Sequence, residues 1–204
     1  MNKKSLLMMM VTICLIAVVG VGATLAYLSD ATDVMTNTFT VGSGITVRQD
    51  ESNEATPDNT TDRTPDGNNY TDILPGATLV KDPTAYVGAN STECYVFMEL
   101  AGADELAAKG FTFNGFDATK WVKTDGTSTL NGVYRYYTTV AKQTTEKALE
   151  PLFTSVTYSI DATETDVTLD DVTIKTCAVQ SANMGETEEE AQAAALAAAV
   201  AEMN

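Results

Sequence analysis

Glu93-Cys94-Tyr95-Val96-Phe97-Met98-Glu99-Leu100 is the stretch on which the fold class turns. Successive side chains of a strand point to opposite faces, so Cys94, Val96, Met98 and Leu100 share one side. A turn sequence, Gly88-Ala89-Asn90-Ser91, leads into it. The same period recurs on both sides of this strand. In Thr36–Arg48, Phe39, Val41, Ile45 and Val47 oppose Thr38, Thr40, Thr46 and Arg48, as in a half-buried strand. Val133–Val140 places Tyr134, Tyr136, Thr138 and Val140 on one face, and Leu152–Ile160 turns Val156, Tyr158 and Ile160 inward. Phe111-Thr112-Phe113 and Trp121-Val122-Lys123 read as short strands around a turn at Asn114–Lys120, and Val167–Val179 as one or two more. About eight or nine short strands at this spacing predict an all-β sandwich.

The punctuation agrees with that count. In Ile73-Leu74-Pro75-Gly76, proline presets the first corner of a tight turn and glycine accepts positive φ at the next. Pro83 marks an edge strand or a break. Ala101–Gly110 suits a short helix closed by Gly110, and Asp125-Gly126 and Asn131-Gly132 are hairpin dipeptides. Gln49–Asp72 is rich in Asp, Asn, Thr, Glu and Pro, and reads as a polar surface loop; it lacks the Asp-x-Asp-x-Asp-Gly order of a calcium loop. The tail, residues 187–203, predicts a helix. Thr187 and Glu190 form a capping box, and the alanine-rich run carries an apolar stripe of Leu196, Val200 and Met203. That helix is expected to dock on the sandwich.

Residues 1–26 read as a secretory signal peptide: Lys3 and Lys4, then an uncharged run from Leu6, closing on Gly22-Ala23-Thr24-Leu25-Ala26. Cleavage is expected between Ala26 and Tyr27. The alternative is a retained anchor, because the run is long enough to span a bilayer. The remainder, residues 27–204, forms a single domain. Losing two lysines and no acid deepens its formal charge from −16 to −18. Such a chain repels nucleic acid and anionic lipid, so neither is an expected partner, and no membrane contact is expected after cleavage. The sequence contains no histidine. That excludes a His-Glu-x-x-His zinc site and any Ser-His-Asp or Cys-His apparatus. No catalytic residue, cofactor or metal is therefore expected. Cys94 and Cys177 remain after cleavage. A disulfide is permitted outside the cell, whereas two separate thiols follow if the strands hold them on opposite faces.

Several of these segments together resemble a known family. Tyr27-Leu28-Ser29-Asp30 directly after the signal is similar to exported proteins cut by a SipW-type signal peptidase. Leu74–Pro83, Ser91–Val96, Leu152–Val156 and Ala178–Ser181 resemble, in order, the later blocks of the TasA/camelysin-like group. The resemblance implies a Gram-positive origin, a jelly-roll β-sandwich and assembly into extracellular biofilm matrix fibres. In such fibres the mature N-terminus of one subunit completes a sheet of the next. Here the donor would be Tyr27–Thr36, with Leu28, Val34 and Met35 as its large aliphatic residues. Partners would be the signal peptidase, and copies of this chain or related fibre subunits. Some camelysin-like members are classed as metallopeptidases, but a chain without histidine does not supply such a site. The expectation is a secreted structural protein without enzymatic activity. The rivals are a monomeric cell-surface adhesin that uses Gln49–Asp72, and a histidine-free hydrolase that uses acids such as Asp82 and Glu99.

Overall fold

The computed structural model describes residue 4 and residues 44–55, 62–126, 129–162 and 171–203. The chain divides into two units, Met1–Val41 and Gly42–Asn204, and every described residue but Lys4 lies in the second. Its elements in chain order are β1 (Val47–Ser52), β2 (Arg63–Thr64), β3 (Thr78–Val80), β4 (Thr84–Val87), β5 (Cys94–Ala101), α1 (Ala103–Ala108), β6 (Phe111–Asn114), β7 (Trp121–Lys123), β8 (Gly132–Tyr136), β9 (Lys147–Ala148), β10 (Ser155–Tyr158), β11 (Thr173–Gln180) and α2 (Glu188–Met203). The strands form three antiparallel sheets, ordered β2-β1-β4-β9, β3-β10-β6 and β11-β5-β8-β7. The all-β sandwich predicted from strand spacing is the fold observed.

β5 is central because both of its faces are apolar. Cys94, Val96, Met98 and Leu100 enter the main core with Phe111, Trp121, Tyr134, Phe153 and Val156. Tyr95 and Phe97 point the other way and pack under α2. Fully burying a side chain of this size contributes about 1.5–3 kcal/mol, so β5 anchors sheet and helix together. The Leu74–Ala77 turn closes with Ala77 N–H donating to Leu74 O at 3.0 Å, and Gly76 takes φ +86°. β7 and β8 pair antiparallel, and both Gly dipeptides, Asp125-Gly126 and Asn131-Gly132, fall between Lys123 and Val133.

Three expectations need correction. β1 begins at Val47 and runs to Ser52, through the start of the expected polar loop; residues 36–43 lie outside the described set. Pairing with β4 and β2 extends it there, and cations cover its acids. β8 stops at Tyr136. Val140 rejoins β5 opposite Cys94, two residues out of the register that sets Arg135 opposite Phe97, and this bulge turns Thr138 outward. β10 stops at Tyr158, where the chain enters a turn closed by Ala162 N–H donating to Ser159 O at 3.2 Å, and Ile160 is 72% exposed rather than inward. The two aromatic segments around Asn114–Lys120 are short strands as expected, in different sheets, β6 pairing with β10 and β7 with β8.

The capping box at Thr187 is present: Thr187 N–H donates to Glu190 Oε2, and Glu190 N–H donates to Thr187 Oγ1, both at 3.2 Å. α2 docks on the sheet as predicted, but through Ala191, Ala195, Ala199 and Met203. Leu196 is half-buried and Val200 exposed. Methyl side chains let the helix backbone approach the rings of Tyr95 and Phe97, and the larger residues take the rim.

Candidate functional site

The first feature with functional content is the outer edge of β11. This strand pairs with β5 over its whole length, from Thr173 opposite Ala101 to Gln180 opposite Cys94. Among the described residues no strand pairs with its other side. A groove of about 640 Å³ follows that side. Lys175–Gln180 form its floor, Ile45 and Val47 one wall, and Ala198, Glu202 and Met203 the other. Ile174 and Ala178 face the main core, whereas Cys177 and Val179 face α2. A strand laid in the groove therefore sends alternate side chains toward the β1 wall and toward α2. Lys175, the only lysine of β11, is drawn to the helix end: Nζ donates to Met203 O at 2.5 Å and lies 3.8 Å from Glu99 Oε2. The opposite edge of the same sheet, β7, is three residues long and ends on Lys123. Short, lysine-bearing edges resist strand addition; β11 is eight residues long with its lysine drawn aside, and Gln49 of β1 reaches it at Ile174 O, at 2.7 Å, and at Thr176 Oγ1, at 2.5 Å.

The second feature is an ionic lattice over β1. Arg63 Nε donates to Asp50 Oδ1 at 2.5 Å and Nη1 to Asp82 Oδ2 at 2.7 Å. Its Nη2 reaches Thr84 Oγ1 at 2.8 Å and Asp82 O at 3.0 Å. Asp82 also accepts Ser52 N–H at 2.6 Å and Ser52 Oγ–H at 2.9 Å. Arg48 Nη1 meets Asp50 Oδ2 at 2.5 Å, and its guanidinium grips Glu146 at 2.6 and 3.0 Å while lying 3.7 Å from the Tyr86 ring centroid. The bond from Arg48 holds the Glu146 carboxyl below the usual carboxylate range. Buried carboxylates persist only when paired and hydrogen-bonded, and here each acid has a cation.

Beside it lies a third arrangement. Glu51 is 5% exposed. Its Oε2 is 2.8 Å from Lys81 Nζ. Its Oε1 accepts Asn68 Nδ2–H at 2.9 Å and Asn68 N–H at 3.0 Å. Asn68 Nδ2 also donates to Ser52 O at 2.8 Å, and its Oδ1 accepts Glu54 N–H at 2.8 Å. Gly67 makes this possible: with φ +79° it swings the Asn68 N–H toward Glu51. Lys81 Nζ stands 6.0 Å from the ring centroid of Tyr70, whose hydroxyl donates to Val80 O at 2.5 Å.

The residues singled out from sequence are placed as follows. Ala26, Tyr27, Leu28, Val34 and Met35 lie outside the described residues. Cys94 and Cys177 are free thiols on opposite faces of the sheet, one in the main core and one under α2, so they do not form a disulfide. Burial, then Glu93, pushes the Cys94 thiol up to about 11. Burial and Glu202 also push Cys177 up, so neither is a ready thiolate. Asp82 is held by Ser52 and Arg63, whereas Glu99 stands on β5 beside Lys175; the structure does not pair these two acids. Among the described residues no group of His, Cys, Asp or Glu is arranged to hold a metal ion, no buried side-chain polar atom lacks a partner, and no helix is long and apolar enough to cross a membrane. Asp50, Glu51, Arg63, Asn68 and Lys81 were not legible as a unit. Their one trace in the sequence is the set of cations, Arg48, Arg63 and Lys81, around an acid-rich segment. No family model, curated protein or solved structure matches this chain.

Proposed function

We propose that this chain is a secreted structural protein, a subunit or accessory component of an extracellular biofilm matrix fibre of the TasA/camelysin-like kind. A SipW-type signal peptidase releases it between Ala26 and Tyr27, and copies of the chain or related fibre subunits are its partners. The observation that supports this reading is the β11 edge and the two-walled groove beside it. An extended segment there gains backbone hydrogen bonds from the sheet and apolar contacts from both walls. The occupant is Tyr27–Thr36 of a second copy. Ten extended residues reach about 33 Å, enough to cover the edge from Lys175 to Gln180. Each added backbone hydrogen bond contributes only about 0.5–1.5 kcal/mol net, against an association cost of at least about 4 kcal/mol. Apolar seating of Leu28, Val34 and Met35 is therefore needed as well.

Negative-stain electron microscopy of the mature chain tests this. Filaments are expected, with soluble particles when residues 27–36 are deleted or when Val179→Lys puts a charge on the groove floor. If the deleted protein polymerises as well as the mature chain, strand donation is wrong. If the mature chain stays a single particle at every concentration and pH, the fibre reading fails with it.

A further inference from the structure

We propose that Lys81 and Asn68 become joined by a side-chain amide bond, formed by the protein itself with Glu51 moving the protons. None of the three residues lines the β11 groove, so this inference does not depend on fibre assembly.

The geometry supplies each part of that condensation. The nucleophile is Lys81 Nζ, on a side chain only 11% exposed and 2.8 Å from Glu51 Oε2. The electrophile is the Asn68 carboxamide. Its leaving nitrogen, Nδ2, is 2.9 Å from the other oxygen of the same carboxylate. Its carbonyl oxygen, Oδ1, already accepts Glu54 N–H at 2.8 Å, a donor placed where negative charge develops during addition. The second bond of Nδ2, to Ser52 O, fixes the amide plane. One buried carboxylate thus touches both the attacking and the departing nitrogen, the position required of a general base that later acts as general acid.

The steps balance without a cofactor or oxidant. Glu51 takes a proton from the Lys81 ammonium, which frees the Nζ lone pair. Nζ adds to Asn68 Cγ, and the carbonyl electron pair moves onto Oδ1. Glu51 then passes a proton to Nδ2 and removes the surplus proton from Nζ. The Cγ–Nδ2 bond breaks, the carbonyl re-forms, and ammonia departs. The new Nζ–Cγ amide replaces the primary amide, and Glu51, left protonated, returns to the carboxylate by handing that last proton to the departing ammonia, which leaves as ammonium. Both nitrogens are held on one carboxylate within one chain, so the encounter is intramolecular.

Peptide mapping of the purified full chain decides the matter. The bond blocks trypsin after Lys81, so Thr64–Lys109 is expected as one peptide lighter by one ammonia. A further chymotryptic cut after Tyr70 should leave its two arms still joined. Glu51→Gln, Lys81→Arg and Asn68→Ala should each give the full mass calculated from its own sequence, with cleavage after residue 81 in all three. The inference is overturned if the wild-type segment has its full mass and is cut after Lys81. It is equally overturned if ammonia is lost but the arms separate, which marks a succinimide at an asparagine. Should any variant fail to fold, the wild-type map alone remains decisive.

Discussion

Replacing Arg63 by methionine removes one guanidinium and leaves two carboxylates facing each other. Asp50 and Asp82, with side chains 8% and 20% exposed, both bond Arg63, whose own side chain is 19% exposed. Breaking a buried pair by deleting one partner costs about 3–5 kcal/mol, because the surviving charge stays desolvated. Here Asp50 keeps Arg48, and Asp82 keeps its two bonds from Ser52. The expected loss therefore falls at the lower end, about 3 kcal/mol. For a domain of this size that corresponds to a drop in Tm of about 6–12 °C. Urea unfolding followed by tryptophan fluorescence reads it, since Trp121 is buried in the same core. Arg48→Met is the internal comparison. Its side chain is 47% exposed, and one of its two acids, Glu146, is 42% exposed. Its loss should be about 1 kcal/mol or less. If Arg63→Met also unfolds within about 1 kcal/mol of wild type, the lattice is a solvated surface cluster. The expectation of a polar loop over Gln49–Asp72 would then describe the energetics better than the burial does.

Two further outcomes follow from the same geometry. Hydrogen bonds from Arg48 to Glu146 and from Tyr136 to Glu150 lower both carboxyls from an ordinary value of 4.5. The unfolded state then binds more protons in that range, so stability should fall as pH drops below 4.5; in thermal unfolding, Glu146→Gln should flatten part of that slope, and a variant with an unchanged slope contradicts the assignment. Ala195→Leu drives three extra carbons into the contact between α2 and the rings of Tyr95 and Phe97, and should cost about 1–3 kcal/mol. Ala197→Leu on the exposed side should cost nothing measurable in the same melt, and equal effects would contradict the docking face.

Local chemistry was legible in the chain. The alternation of β5, the Pro75-Gly76 turn, the end of α1 at Gly110 and the Thr187 capping box depend on residues within a few positions of one another. Backbone period, proline's fixed φ and reciprocal capping act over that range, and the sandwich class follows from the count of such strands. Which alanines of α2 face inward, where β8 and β10 stop, and that β11 presents an edge depend on what the third dimension sets beside them. So does the fate of the acids. Arg63 reaches Asp50 across thirteen positions and Asp82 across nineteen, and Gln49 reaches Thr176 across more than a hundred. Composition over Gln49–Asp72 reads as solvated because an unpaired acid belongs in water; burial of Asp50 and Glu51 becomes favourable once the fold delivers a guanidinium and an ammonium to them.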